Sequence, residues 1–132
     1  MSTRSRSLRP APDATADARR FVRASLPRRL TTVNVDDAVL LTDELVANAV
    51  RHSATTEPIQ LSVSVRDGTV RVTVTDAGEG FDPVAEPAAT RSAGVGGWGL
   101  ELVASLSSRW GVDREDEHTT VWFEIDGVGA GT

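Results

Sequence analysis

The spacing of apolar residues changes along the chain from the period of a helix to the period of a strand. In "VLLTDELVANAV" the apolar residues recur at intervals of three and four, as they do on one face of an amphipathic helix. From Ile59 onward, apolar and polar residues alternate through "IQLSVSV" and again through "TVRVTVTD", with Asp67 and Gly68 between the two runs. Two alternating runs joined by Asp-Gly predict a β-hairpin with one buried face.

Two helices are predicted before the hairpin. The first begins at Asp13, whose side chain can cap the free N–H groups of the first turn, and it ends near Leu26. The second is longer, is capped by Asn34 or Asp36, and extends to about Ser53.

The rest of the pattern predicts the layers of the fold. "LELVASLSS" predicts a short helix, and "RWGVDR" and "TTVWFEI" predict two closing strands. We therefore expect an α+β fold, a two-layer α/β sandwich with helices on one face of a mixed, mostly antiparallel sheet. The expected divisions are a flexible basic leader at residues 1–12, which can add a short edge strand near "RSLRP", one domain at 13–127, and a flexible tail at 128–132.

Composition excludes several classes of function. The 132 residues contain no cysteine, which excludes thiol catalysis and metal sites of the Cys type. No apolar run is long enough to span a bilayer, and none follows the first arginines as it would in a signal peptide. We expect a soluble, cytoplasmic protein that does not bind membranes.

The net charge of −5 is unevenly distributed. Residues 1–29 contain eight Arg and two Asp, a net charge of +6, whereas residues 30–132 contain six Arg and seventeen acids, a net charge of −11. Such a basic segment either docks on an acidic partner or is a solvated tail followed by a basic helix face. Because the body carries no basic patch, we expect no direct binding of nucleic acid.

Three polar residues interrupt the apolar face of the second predicted helix. Glu44, Asn48 and His52 are spaced four residues apart and lie in the same stripe as the apolar positions. A buried carboxylate is costly unless it meets a cation, a hydrogen-bond network, a metal or a ligand. The pattern therefore indicates either a salt bridge with a His that binds the last helix carbonyls, or a functional site.

Two glycine-containing segments follow the hairpin. In "DAGEGFDP", Asp76 emerges at a strand end, and Gly78 and Gly80 permit either a tight turn or a close approach to a ligand. In "GVGGWGLELV", glycines lead into a helix N-terminus, whose free N–H groups can bind phosphate; the alternative is a plain flexible loop. The intervening segment, to about Gly97, has a length typical of functional lids.

Together, "ELVANAVRH", "DAGEGF" and "GGWGLELV" resemble the N, G1 and G2 boxes of the GHKL family, whose members share the Bergerat ATP-binding fold. The resemblance covers residues 35–125 and is greatest to the small anti-sigma factor serine kinases of bacteria. It implies that the domain is a histidine kinase-like ATP-binding domain that uses ATP and Mg²⁺ as cofactors.

The resemblance also implies a role for each matching residue. Asn48 would hold Mg²⁺ through its side-chain oxygen, and Asp76 would accept a hydrogen bond from the adenine amino group. Thr120 would support Asp76 and a water, although the family commonly has Gly-Lys-Thr where this chain has His-Thr-Thr. Glu44 would be the general base, since a hydroxyl nucleophile must lose its proton during phosphoryl transfer. Further contacts with the nucleotide are implied for Gly78, Gly80, Gly94, Gly96, Gly97, Gly99 and Leu100.

The function that this resemblance implies is an ATP-dependent protein serine kinase and anti-sigma factor in partner-switching regulation of transcription. It would sequester a sigma factor and phosphorylate a serine of an anti-sigma antagonist, and it would form a homodimer. The alternatives are a non-catalytic protein-binding module gated by ATP or ADP, and slow ATP hydrolysis without a protein substrate. His52 fits a structural role at the helix end, and Trp98, among the lid glycines, can pack over the nucleotide or over a partner.

Overall fold

The computed structural model describes residues 2–27, 32–52, 56–77, 100–115 and 117–127. The elements in chain order are β1 (Ser2–Leu8), α1 (Ala14–Ser25), α2 (Thr32–His52), β2 (Ile59–Arg66), β3 (Thr69–Asp76), α3 (Leu100–Leu106), β4 (Arg109–Glu115) and β5 (His118–Ile125). None of the helices in these ranges is long and apolar enough to cross a membrane.

The five strands form one sheet in the order β1-β2-β3-β5-β4. The predicted hairpin is confirmed: β2 pairs with β3, and Asp67 and Gly68 turn with positive φ angles of 52° and 80°, as a tight two-residue hairpin loop requires. The α+β fold class is also confirmed. A mixed, mostly antiparallel sheet was expected, and all four ladders between the described strands are antiparallel.

One face of the sheet is packed against the helices. Alternate residues of β2, β3 and β5 are buried, as the alternating sequence predicts, and α2 lies across β3. The largest fully buried side chains are Phe123 from β5, Leu41 and Leu45 from α2, and Ile59 and Leu61 from β2. Each such side chain contributes roughly 1.5–3 kcal/mol when it is removed from water, so this layer stabilises the fold.

The opposite face, which we call the outer face, carries a tryptophan that lies against the sheet. A Cβ placed on Gly111 would come within 2.8 Å of the Trp122 ring, so the ring covers β4 where the backbone has no side chain. The guanidinium carbon of Arg71 lies 4.2 Å from the centre of the same ring, a cation–π distance. Trp122 is therefore an aromatic that packs on the sheet.

Asp13 is at the N-cap position of α1 as predicted, but neither α1 nor α2 has the predicted side-chain cap. Asp13 precedes α1 but makes no side-chain capping hydrogen bond, and its carboxylate instead lies 3.6 Å from Arg9. α2 begins at Thr32, so Asn34 and Asp36 lie inside its first turns. Asp36 accepts a hydrogen bond of 3.2 Å from Arg23 of α1, which shows that this carboxylate joins the two helices rather than capping one.

Strand β1 is longer than the short edge strand expected within a flexible leader. It pairs with β2 from Ser2 to Leu8, where Leu8 is the buried apolar residue. Arg4 lies over the Phe21 ring at 5.7 Å and donates to the Ala24 carbonyl at 3.2 Å. The strand is stabilised by its backbone ladder and these arginine contacts, which an apolar pattern does not reveal.

An ion-pair network on the outer face predicts an acid-dependent loss of stability. Arg109 Nε donates to Glu124 at 2.7 Å, and this bond, with a second one from Arg71, holds the pKa of Glu124 below its usual range. A depressed pKa stabilises the fold above the unfolded pKa of about 4, and the contribution is lost as the pH falls through the folded pKa. We expect Glu124→Gln to lower the Tm at about pH 7, and the difference from wild type to narrow below about pH 4 in thermal denaturation.

Candidate functional site

The described part of the chain has four buried polar residues, and three of them coincide with the predicted site or its neighbours. They are Thr42, Asn48, Asp76 and Thr119. Thr42 is accounted for within α2, because its hydroxyl donates to the Ala38 carbonyl at 2.7 Å. Buried polar groups are costly, so the remaining three require a structural or functional explanation.

Chain topology brings α2 and Asp76 to the same end of the sheet. α2 leads into β2 through residues 53–58. The β2–β3 ladder places Gln60 opposite Thr75, so the start of β2 lies beside Asp76, the last residue of β3. The half of α2 that contains Asn48 therefore leads towards the end of the sheet that carries Asp76.

Asp76 and Thr119 form a pair across two strands at this end. They are partners in the β3–β5 ladder, both are buried, and both lie on the face that packs against the helices. The Thr119 hydroxyl is fully enclosed yet has no hydrogen-bond partner in the part of the chain that the structure describes. A buried hydroxyl without a partner costs about 1–3 kcal/mol, which a bound ligand or water would recover.

Thr120, which the sequence assigned to support Asp76, does not face it. Successive residues of a strand point to opposite faces, so Thr120 lies on the outer face, where its hydroxyl is 2.7 Å from that of Thr75. Thr119 is therefore the threonine beside Asp76, and the sequence assignment was displaced by one residue. Alternation from the buried Val121 along "HTTVWFEI" was the signal that could have identified it.

Glu44 and Asn48 lie on successive turns of α2 in different environments. Glu44 is half-buried and makes no ion pair or hydrogen bond with any described residue, so the salt-bridge interpretation of this carboxylate is not realised there. Asn48 is only 2% exposed, and its Oδ1 accepts a hydrogen bond from Arg51. Arg51 is exposed, so its guanidinium can leave this oxygen without disturbing the core.

The donor set fits a magnesium ion that is held mainly by a nucleotide. The described residues contain no cluster of three or more His, Cys, Asp or Glu that could hold a metal. Mg²⁺ commonly binds one or two protein oxygens and completes its shell with phosphates and water. The Asn48 amide oxygen is a ligand of the required type, provided that Arg51 releases it.

Several predicted site residues cannot be placed. Leu100 is the first residue of α3, and His52 is the last residue of α2, but the position of neither side chain is described. The remaining predicted residues lie outside the described ranges: Gly78, Gly80, Gly94, Gly96, Gly97, Gly99 and Trp98.

Opposite effects are expected from removing the two neighbouring threonine hydroxyls. Thr119→Val removes a buried hydroxyl that has no hydrogen-bond partner in the described ranges, so it should raise the Tm of the ligand-free protein and weaken its affinity for ATP. Thr120→Val removes the hydrogen bond to Thr75, so it should lower the Tm slightly and leave ATP affinity unchanged. Differential scanning fluorimetry measures the Tm of both variants, and ATP titration measures their affinity. Weaker ATP binding in Thr120→Val but not in Thr119→Val would indicate that Thr120 supports Asp76.

Comparison with known proteins identifies the family of the chain and similar folds. The family model for the histidine kinase-like ATPase domain matches residues 8–125. The chain is similar in structure to the RsbU and RsbW domains of Rv1364c from Mycobacterium tuberculosis, with a TM-score of 0.73 and 22% identity over 96% of this chain and 32% of that one. No curated protein gives a significant match.

Two histidine kinase structures are also similar. The histidine kinase domain of the Erythrobacter litoralis EL346 blue-light activated kinase has a TM-score of 0.52 and 28% identity over 69% of this chain and 43% of that one. ShkA, solved in complex with AMPPNP, has a TM-score of 0.54 and 27% identity over 70% of this chain and 21% of that one. The chain thus spans less than half of each of the three structures. Since the family model covers most of its length, the chain belongs to the histidine kinase-like ATPase domain family.

Proposed function

We propose that this chain is an ATP-dependent protein serine kinase whose nucleotide lies between α2 and the end of β3. The observation that carries the proposal is the buried pair of Asp76 and Thr119, in which a carboxylate lies beside a hydroxyl that has no hydrogen-bond partner among the described residues. The carboxylate can accept a hydrogen bond from an amino group on a ring of the ligand. The hydroxyl can form a hydrogen bond with a water or with the same ring. The family membership and the AMPPNP complex of ShkA support ATP as the ligand.

Each residue of the site has a defined part in this proposal. Asp76 accepts a hydrogen bond from the adenine amino group, and Thr119 fixes the carboxylate or a water beside it. Asn48 would hold Mg²⁺ through Oδ1, and a bound ion would supply positive charge beside the phosphates. Glu44 lies one turn before Asn48 and accepts the proton of the incoming serine hydroxyl as its oxygen bonds to the γ-phosphorus. The bond from that phosphorus to the bridging oxygen breaks at the same time, and ADP leaves. The glycines and Leu100 of the two predicted boxes complete the nucleotide site.

We also propose that the kinase acts in partner switching, where it binds a sigma factor and phosphorylates a serine of an anti-sigma antagonist. The fold-level similarity to a structure that contains an RsbW domain supports this proposal. A carboxylate at position 44 supports a hydroxyl acceptor, because a serine needs a general base more than an imidazole does.

The test is transfer of γ-labelled phosphate from ATP to candidate antagonist proteins. Label on a partner serine, lost in an alanine variant of that serine, is the expected result. Free phosphate without labelled protein would instead indicate hydrolysis alone. Labelled histidine would contradict the assignment of a serine acceptor.

A non-catalytic, nucleotide-gated binding module is the second candidate, and the contact between Arg51 and Asn48 favours it. Mg²⁺ at Oδ1 would compete with the Arg51 cation for this oxygen, so an exposed side chain of α2 would change position with nucleotide state. In this case neither labelled protein nor free phosphate would form, while ATP and ADP would give different affinities for a protein partner.

A further inference from the structure

Arg114 of β4 lies in a row with the two buried residues of the candidate site. The β4–β5 ladder places Arg114 opposite Thr119, and the β3–β5 ladder places Thr119 opposite Asp76. Arg114 shares a face with Trp110 and Val112, which pack against the core, because alternate residues of a strand point to the same side. The row of Asp76, Thr119 and Arg114 therefore crosses three neighbouring strands on the face that carries the helices.

Arg114 makes no hydrogen bond or ion pair with any described residue, and its side chain is exposed. The acids next to it along β4, Asp113 and Glu115, belong to the outer face, and neither pairs with it. Arg109 of the same strand, by contrast, has its guanidinium 2.7 Å from Glu124. Arg114 therefore has all five of its N–H donors available for an anion that comes from a ligand.

The order of groups along this row fits a nucleotide. Neighbouring strands lie about 4.7–4.9 Å apart, so the backbone of Arg114 is roughly 10 Å from that of Asp76. Asp76, as proposed above, accepts a hydrogen bond from the adenine amino group, and the phosphates of ATP extend away from the base beyond the ribose. A guanidinium is always charged, and its parallel N–H groups can bind two oxygens of one phosphate. The row thus offers an acceptor to the base at one end and a cation to the phosphates at the other.

We propose that Arg114 is a nucleotide-binding residue that donates hydrogen bonds to phosphate oxygens of ATP. The inference rests on the proposed nucleotide site and adds to it a residue of the edge strand β4, which none of the three sequence motifs contains. The positive charge would offset part of the repulsion between the phosphates and the acids Glu44 and Asp76. The alternative is a solvated charge that only protects an edge strand from pairing with other chains.

Calorimetric titration of Arg114→Gln with ATP and with adenosine tests the assignment. Loss of a charged hydrogen bond should raise the Kd for ATP by roughly tenfold or more and leave the Kd for adenosine unchanged. Arg6→Gln is the matched control, because Arg6 is likewise exposed on an edge strand and has no ion pair with a described residue. The control should bind both ligands as the wild type does.

Two results would overturn the proposal while the nucleotide site itself stands. An unchanged Kd for ATP in Arg114→Gln would show that Arg114 is an edge-strand charge only. Equal weakening of ATP and adenosine would show that Arg114 contacts the base and not the phosphates. If the wild type binds no ATP, the proposed function and this inference both fail.

A second variant separates charge from hydrogen-bond geometry. Arg114→Lys keeps the charge but lacks the planar fork of donors, so its Kd for ATP should lie between those of the wild type and Arg114→Gln. The ligand-free variants should have the Tm of the wild type, because no contact with a described residue is lost. A lower Tm that accompanies the loss of affinity would indicate a structural role for Arg114 and would overturn the assignment.

Discussion

Replacing Glu44 with glutamine is expected to lower the rate of phosphoryl transfer by roughly 10²- to 10⁴-fold while the affinity for ATP stays nearly constant. Glutamine preserves the size of the side chain and removes the group that accepts the proton. Glu44 is half-buried and has no partner among the described residues, so the substitution breaks no ion pair there. Single-turnover transfer to the protein substrate measures the rate, and calorimetric titration with ATP measures the affinity.

Asp37→Asn is the matched control for this variant. Asp37 is also a half-buried acid on α2, and it lies two turns before Glu44, away from the end of the helix that leads to β2. The control should transfer phosphate at the rate of the wild type. Wild-type transfer by Glu44→Gln would remove Glu44 from the mechanism, and an equal loss in both variants would indicate a general effect of charge on α2.

Replacing Asp76 with asparagine is expected to weaken ATP binding by roughly 10- to 100-fold, since a hydrogen bond to a charged group contributes about 1.5–3 kcal/mol. Asp76 is 5% exposed at the end of β3, so its carboxylate can accept hydrogen bonds without competition from bulk water. An asparagine amide offers donors as well as an acceptor, so the variant should also lose the preference for adenine over guanine nucleotides.

Titration of Asp76→Asn with ATP and with GTP measures both effects. Thr120→Val serves as the control because its side chain lies on the outer face of the same sheet end. It should retain the wild-type affinity and the wild-type preference. If Asp76→Asn binds ATP as the wild type does, adenine is recognised elsewhere.

Elements with local periodicity were predictable from the sequence. The hairpin of β2 and β3, the helix α2 and the buried faces of the strands follow from alternation, three- and four-residue spacing, and an Asp-Gly turn. Strand β1 was only partly predictable, because arginine and serine occupy most of its positions and its stability comes from β2. The cap predicted at Asp36 was wrong for a similar reason, because this carboxylate accepts a hydrogen bond from Arg23 of another helix.

Two of the predicted site residues are buried, and their roles remain predictions. Asn48 and Asp76 are buried where the motif placed them, because strand ends and helix faces are local properties. Alternation from Val121 along "HTTVWFEI" places Thr119 on the buried face, and the register of β5 against β3 places it beside Asp76. The contact between Arg51 and Asn48 depends on side-chain packing and has no signal in the spacing of the motif.

Amide chemical-shift mapping of the labelled chain during titration with Mg²⁺ and ATP locates the bound nucleotide. The largest shifts are expected at Asn48, Asp76 and Thr119, with little change at Gly111 and Trp122 on the outer face. Shifts concentrated around Trp122, or no shifts at all at millimolar ATP, would contradict it.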